Sequence, residues 1–254
     1  VCAVTQQPVF IDSTNIDAIA EAMKVYPGLP VINSISGKEK DLTNLLPLAA
    51  RWGAAFVALA MDERGVASNT SECIDILDNI FRKAEQHGIP KKRIIVDPVM
   101  MPISAAGERI QTTLWAISLF DQNYDIPTII GLSNVSYGLP GRSFLNSAML
   151  SAAISNGLCA VIADPNDKNI TGTLAASQAI FGKDPNAERF TMAFSDMPET
   201  KEEEDSDWSL RDDIIRGNTD SLEPHIEDEI QNLGSPLTVS YTHLRAHETS
   251  LHLV

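Results

Sequence analysis

Aspartate and asparagine side chains recur along the chain at or just past the ends of short apolar runs. There are six such positions: Asp12, Asn33, Asp62, Asp97, Asn134 and Asp164. Any one of these residues is also typical of a helix cap or a turn, because Asp and Asn side chains bond readily to nearby backbone groups. Six of them in register with successive apolar runs indicate a shared site.

The apolar runs that precede these residues are rich in β-branched side chains, which favour strands. The runs span residues 9–12, 31–34, 56–61, 94–97, 128–133 and 160–164. Longer segments with helical periodicity follow them, at residues 16–25, 42–52, 71–87, 111–120, 143–156 and 172–181. This alternation predicts a parallel sheet covered by helices.

The number of repeats favours one parallel architecture. In a (β/α)8 (TIM) barrel the carboxyl ends of the strands meet at one mouth, where loops can carry a site without disturbing the core. Six βα units are two fewer than a barrel contains, so we expect a TIM barrel truncated at its N-terminus. A doubly wound open sheet could also hold six strands, but no Gly-x-Gly-x-x-Gly follows the first strand and no phosphate-binding loop is present. Nucleotide binding is therefore disfavoured.

Charge and composition exclude several classes of partner. The formal net charge of -15 would repel nucleic-acid phosphates and an anionic membrane surface. No apolar run is long enough to span a bilayer, and residues 1–10 lack a signal-peptide pattern, so we expect a cytoplasmic protein. The three cysteines, Cys2, Cys73 and Cys159, are far apart, which predicts buried reduced thiols.

The six acidic and amide residues favour a particular kind of ligand. Carboxylates and amides with no cation beside them and no metal-type histidine cluster suit a neutral heterocycle with N–H and amide edges. A pterin fits this description, since its aminopyrimidinone edge presents parallel N–H donors that one carboxylate can accept two at a time.

Stretches around the same residues carry a resemblance to a known family. They are residues 11–14 (IDST), 32–34 (INS), 37–39 (GKE), 60–65 (AMDERG), 96–98 (VDP) and, most specifically, 131–146 (GLSNVSYGLPGRSFLN) with 156–158 (NGL). From about residue 8 to residue 190 the chain resembles the pterin-binding methyltransferases, which include the folate domain of cobalamin-dependent methionine synthase and the methyltetrahydrofolate:corrinoid methyltransferases.

The resemblance implies a substrate, a reaction and site residues. Asp12, Asn33 and Asp97 would hold the pterin edge of 5-methyltetrahydrofolate, and Asn134 would bond near N5, the nitrogen that carries the methyl group. Asn134 is the foremost catalytic candidate, followed by Asp97. The methyl acceptor would be cobalamin or another corrinoid bound by a different domain or protein, so the chain itself needs no Ser or Cys nucleophile.

Three further positions match the family with less defined roles. Arg142 corresponds to a position close to the pterin, where stacking or hydrogen bonding is plausible and a surface salt bridge is an equal alternative. Asp62 would contact the pterin or cap the following helix. Asp164 corresponds to the last strand end of the family.

The C-terminal part differs in composition from the barrel, which we assign to residues 1–190. Residues 191–208 form an acidic linker, and residues 209–239 resemble the start of the helical cap that precedes a cobalamin-binding domain. Barrel followed by cap is the domain order of methionine synthase. Residues 240–254 (SYTHLRAHETSLHLV) resemble translated cloning adapter, and their histidines are not expected to bind zinc.

Two alternatives to methyl transfer stay open. A dihydropteroate synthase has the same barrel and pterin pocket but joins a pterin to an aminobenzoate; basic phosphate-handling loops for that reaction are not evident. A catalytically silent module that holds folate or docks a corrinoid domain is the second alternative.

Overall fold

The structure, a computed structural model, describes residues 7–195 and 222–233. The chain divides into two units, Val1–Phe194 and Ser195–Val254. The strands of the first unit are β1 (Phe10–Asp12), β2 (Val31–Ser36), β3 (Ala55–Leu59), β4 (Met61–Asp62), β5 (Gly65–Val66), β6 (Ile94–Asp97), β7 (Ile129–Gly131) and β8 (Ala160–Ile162). Its helices are α1 (Ile16–Val25), α2 (Glu39–Trp52), α3 (Thr70–Gln86), α4 (Ile103–Ala106), α5 (Arg109–Leu119), α6 (Arg142–Ser155), α7 (Lys168–Ile180) and α8 (Glu188–Phe194).

The main strands are parallel and follow the order of the chain. A four-stranded sheet has the order β1-β2-β3-β6, and β7 pairs with β8 in parallel. A parallel bridge between Val96 and Thr128 links the end of β6 to the residue before β7. The predicted α/β fold with a parallel sheet is thus confirmed. In the described residues β1 pairs with β2 alone and β8 with β7 alone, so a closed barrel stays a prediction.

Two predicted strands end earlier than their apolar runs do. The run at residues 56–61 splits, because β3 stops at Leu59 and β4 turns back to pair antiparallel with β5. Gly65 has a φ of 112°, a conformation open to glycine, which allows this tight hairpin. The run at residues 128–133 leaves the sheet after Gly131, and Leu132–Asn134 form a 3-10 turn.

The helices bury one apolar face against the sheet. In α2 the buried residues are Leu42, Leu45, Leu46 and Ala49, at the predicted helical spacing, and they pack in one cluster with Ile32 of β2 and Phe56 of β3. Pro47 lies on the exposed face of this helix, which continues on both sides of it. Packing of the helix on the sheet therefore fixes the strands whose ends carry the site.

The cysteine prediction is half correct. Cys73 in α3 is buried, and burial raises the pKa of its thiol to about 12. Cys159 is exposed, so the expectation of a buried thiol is wrong there; it lies in the loop between α6 and β8, beside an open cavity that Ile154 and Leu174 also line. Cys2 lies outside the described residues. Among the residues that the structure describes, no three His, Cys, Asp or Glu side chains are grouped to hold a metal ion.

The C-terminal predictions are only partly covered. Helix α8 runs to Phe194, four residues beyond the predicted barrel boundary and into the segment assigned to the linker. A helix, α9 (Leu222–Leu233), occupies part of the predicted cap region. The first predicted cap helix, most of the linker and residues 240–254 lie outside the described residues. Within the described ranges, none of the helices has both the length and the apolar character to cross a membrane.

The packing of α2 on the sheet gives a stability prediction. Leu46 has no exposed surface, so Leu46→Ala should lower the free energy of unfolding by about 3 kcal/mol through lost burial and the cavity left behind. The matched control Leu29→Ala changes a side chain that is 64% exposed and should cost less than about 0.5 kcal/mol. Urea unfolding of both variants is the measurement; equal losses would contradict this account of the core.

Candidate functional site

The polar residues singled out in the sequence lie along one edge of the parallel array. Asp12 ends β1, and Asn33 of β2 is its partner in the strand register. Asp97 ends β6, Asn134 closes the turn after β7, and Asp164 lies just past β8. The carboxyl ends of parallel strands share one edge of a sheet, so the strand order places these residues along that edge, and a single site shared by all of them stays a prediction.

Asp12 and Asn33 form a contact at the start of this edge. The Nδ2 group of Asn33 donates to Oδ2 of Asp12 over 3.4 Å. The register of β2 shifts between Ile32 and Ile35, which displaces Asn33 and Ser34 from the regular ladder. The cap of α1 is Asn15, whose side chain accepts from Asp17 and Ala18. Asp12 is therefore not the helix cap that its residue type also suggested.

A cavity of about 450 Å³ opens beside this pair. Its walls combine polar side chains from the strand ends with two lysines and an apolar floor: Asp12, Ser13, Thr14, Asn33, Ser34, Ser36, Lys38, Lys40, Asp41, Leu45, Leu59 and Met61. The sequence predicted no cation beside the acidic residues, and this prediction was wrong. Lys38 is the N-cap residue of α2 and Lys40 lies in the first turn of this helix. The chain turns from β2 into α2 at this point, so both lysines line the cavity that Asp12 lines.

Asp97 is the most deeply placed of the carboxylates. Its side chain is buried, and loss of water contact raises its pKa to about 6, while a hydrogen bond from the Val99 backbone N–H acts in the opposite direction. That N–H lies 2.8 Å from Oδ1. In the part of the chain that the structure describes, this is the one hydrogen bond to the carboxylate, and no lysine, arginine or histidine forms an ion pair with it. A dry carboxylate with spare acceptor capacity can bind N–H donors strongly.

The turn after Asp97 is held in an uncommon conformation. Val99 has a φ of 66°, which is costly for a β-branched residue. Its N–H is bound by the Asp97 carboxylate, and its carbonyl accepts from the Thr113 hydroxyl over 3.4 Å. These bonds fix the direction in which the Asp97 side chain leaves β6.

Asn134 is exposed at the tip of the 3-10 turn that follows β7. Arg142, the first residue of α6, braces this turn: its Nη2 donates to the Ser133 carbonyl over 2.9 Å and its Nε to the Ser136 hydroxyl over 3.0 Å. No salt bridge to Arg142 occurs among the described residues, so the alternative of a surface ion pair is not supported. The guanidinium supports the loop that presents Asn134.

Asp62 is engaged by its neighbour in the β4–β5 hairpin. The Arg64 guanidinium donates to its two oxygens at 2.7 to 3.3 Å, and these hydrogen bonds lower the pKa of Asp62. Asn69 caps α3, so Asp62 is not a helix cap either. Its carboxylate holds the hairpin together, which leaves it less available to a ligand than that of Asp97.

Asp164 forms a local turn after β8. Its Oδ1 accepts from the N–H of Asn166 over 2.9 Å, and Asp167, not Asp164, caps α7. The residue lines a cavity of about 270 Å³ with Ser133 and Asn146. This cavity is separate from the one beside Asp12, so the structure places Asp164 at the far end of the strand edge.

Solved structures with the same fold exist, at low sequence identity. The dihydropteroate synthase of Yersinia pestis, solved with a pterine-sulfa conjugate, superposes with a TM-score of 0.58 at 15% identity, over 71% of this chain and 71% of that one. The dihydropteroate synthase of Clostridium difficile, solved in the presence of pteroic acid, gives a TM-score of 0.53 at 21% identity, over 68% and 67% of the two chains. At these identities the likeness establishes the fold.

Sequence relatives are named as methyltransferases. A methylcorrinoid:tetrahydrofolate methyltransferase of Eubacterium limosum is 25% identical over 194 residues, which cover 74% of this chain and 71% of that protein. The methionine synthases of Mycobacterium leprae and Mycobacterium tuberculosis are each 29% identical, over 63% and 61% of this chain respectively. The chain spans only 14% of the length of either methionine synthase.

The pterin binding enzymes are the family that matches the chain, over residues 1–164. The matched region is more than half of the 254 residues and contains all eight strands described above. It also contains Asp12, Asn33, Asp97 and Asn134. The chain therefore belongs to the pterin binding enzyme family.

Proposed function

We propose that the chain binds 5-methyltetrahydrofolate at the carboxyl edge of its sheet and transfers the N5-methyl group to a reduced corrinoid, such as cobalamin, held by another domain or protein. The observation that carries the proposal is Asp97, a buried carboxylate with a single hydrogen bond and no cation beside it in the described residues. Such a group destabilises the empty site and gains most from a ligand with N–H donors. The aminopyrimidinone edge of a pterin supplies two of them.

The other site residues fit the rest of the pterin. Asp12 and Asn33 lie within hydrogen-bond reach of each other and together offer both acceptors and donors. A pterin edge needs both kinds of group, because its ring carries N–H donors next to a carbonyl and ring nitrogens. The cavity beside this pair, at about 450 Å³, is of a size that small-molecule sites have.

The reaction breaks the bond between N5 and the methyl carbon. The electron pair of that bond stays on N5, which takes a proton, and the reduced corrinoid supplies the pair that forms the new bond to carbon. An amine is a poor leaving group, so stabilisation of N5 as it gains charge or a proton lowers the barrier. The Asn134 amide, exposed at the tip of its turn, can donate to N5 or accept from its proton.

The names of the relatives support a methyl-transfer site, and the surrounding fold and the corrinoid carrier are further proposals. One is named for transfer between a methylcorrinoid and tetrahydrofolate, and the others are named methionine synthases. Since a catalyst serves both directions of a reaction, one site fits either name. We further propose that residues 7–195 form part of a TIM barrel and that the corrinoid carrier approaches the edge that holds Asn134.

The first test is an activity measurement on the whole chain. With labelled 5-methyltetrahydrofolate and free cob(I)alamin under anaerobic conditions, we expect label to move to the cobalamin. Condensation of an activated pterin with p-aminobenzoate, without methyl transfer, would support the dihydropteroate synthase alternative. Folate binding with neither reaction would identify a silent module and overturn the proposal.

Asn134 is predicted to act on the rate more than on binding. Asn134→Ala should lower the methyl-transfer rate about 100-fold while folate affinity changes less than about threefold, because the amide stabilises N5 chiefly as the bond breaks. The matched control Asn123→Ala replaces an exposed asparagine on the opposite side of β7, before the strand, and should leave both values unchanged. Equal losses of rate and affinity would contradict the assigned role.

Asp97 is predicted to lower the free energy of unfolding at neutral pH and to strengthen the binding of 5-methyltetrahydrofolate. The folded protein keeps the Asp97 proton up to about pH 6, whereas the unfolded chain releases it near the ordinary 3.8, so stability falls as pH rises through this window. Asp97→Asn avoids this loss and should be more stable than the parent by on the order of 3 kcal/mol at pH 7.5, with little difference at pH 4. It should also bind 5-methyltetrahydrofolate at least about tenfold more weakly.

Urea unfolding at pH 4 and pH 7.5, together with a titration with 5-methyltetrahydrofolate, checks the predictions for Asp97→Asn. The control Asp78→Asn changes an exposed carboxylate on α3 and leaves Asp97 intact, so it should keep the parent's pH profile. A stability difference between Asp97→Asn and the parent that is the same at both pH values would show that burial of the charge is not its cause.

A further inference from the structure

Gly131, the last residue of β7, lies against the side-chain amide of Asn134. A Cβ atom built on Gly131 would be 3.1 Å from Nδ2 and 3.9 Å from Cγ of Asn134, and no other heavy atom outside its chain neighbours comes within 4 Å in the described residues. The Asn134 side chain thus folds back over the strand end that precedes it and occupies the space that a side chain at 131 would need.

The backbone of Gly131 does not itself require glycine. Its φ of -80° and ψ of 93° lie in the extended region, which L-residues adopt without strain. This distinguishes it from Gly138 and Gly141 in the same loop, which have positive φ. Conformational freedom therefore does not account for glycine here, and the close approach of the amide does.

We propose, building on the function proposed above, that Gly131 is a positioning residue that leaves the Asn134 amide room to sit over the strand end and rotate toward N5. A contact of 3.1 Å is tighter than a Cβ atom normally tolerates, so an added methyl group moves the amide by a few tenths of an ångström. A misplacement of about 1 Å at a reacting group can lower a rate about 100-fold, so a shift of a few tenths of an ångström should lower it by a smaller factor and change overall binding little.

The test is Gly131→Ala, which adds one methyl group against one side chain. We expect the methyl-transfer rate to fall about tenfold with folate affinity within about twofold of the parent. In an Asn134→Ala background the same change should have no further effect on the rate, because Gly131 acts only through the amide. The control Gly107→Ala places its Cβ 3.5 Å from the Ile103 carbonyl, an ordinary contact, and should match the parent.

Two measurements keep the inference separate from the proposed function. The NMR signals of the Asn134 side-chain amide should shift in Gly131→Ala and stay in place in Gly107→Ala, whatever the activity. Unshifted signals, a parental rate, or an equal rate loss in the Asn134→Ala background would each overturn the role of Gly131. If Gly131→Ala lowers the melting temperature, the double variant with Asn134→Ala should restore it, and failure to do so would also count against the role.

Discussion

Burial of the Asp97 carboxylate is the constraint on which the rest of the site depends. A charge taken out of water is unfavourable unless donors surround it, and the folded chain supplies one backbone N–H, from Val99. The fold tolerates this because the surrounding strands and helices are packed around Ile32, Phe56 and Leu46, none of which is exposed. The stability that the core provides offsets the cost of burying Asp97 at the strand edge, and a ligand that donates hydrogen bonds to this carboxylate would reduce that cost.

The parallel order of the strands explains why residues far apart in sequence lie along the same edge of the sheet. Each βα unit returns the chain to the same side of the sheet, so each parallel strand directs its carboxyl end to the same edge. Asp12 and Asn33 are neighbours because β1 and β2 pair in register, and Asp97 lies two strands further along. The loops then differ in how they hold each side chain: an unusual backbone turn at Asp97, a braced 3-10 turn at Asn134 and an ion pair at Asp62.

Much of this could be predicted from the sequence, and the parts that could not have physical reasons. Alternating apolar runs and helical stripes identified the parallel sheet, since burial of each face leaves a periodic pattern. The pattern did not show that β3 ends at Leu59, because a hairpin such as β4–β5 depends on local turn geometry at Gly65. Nor did it show that Lys38 and Lys40 line the same cavity as Asp12, since that arrangement comes from strand register and the start of α2, which are tertiary features.

The bracing of the Asn134 turn by Arg142 has a mechanical consequence. One guanidinium bonds both Ser133 and Ser136 to the first residue of α6, so the loop is joined to the helix end at two points. A helix transmits a push along its axis with little bending, and this one is anchored inside the fold by Leu150 and Ala153. A shift of the start of α6 would therefore move the loop with it and change the position of the Asn134 amide.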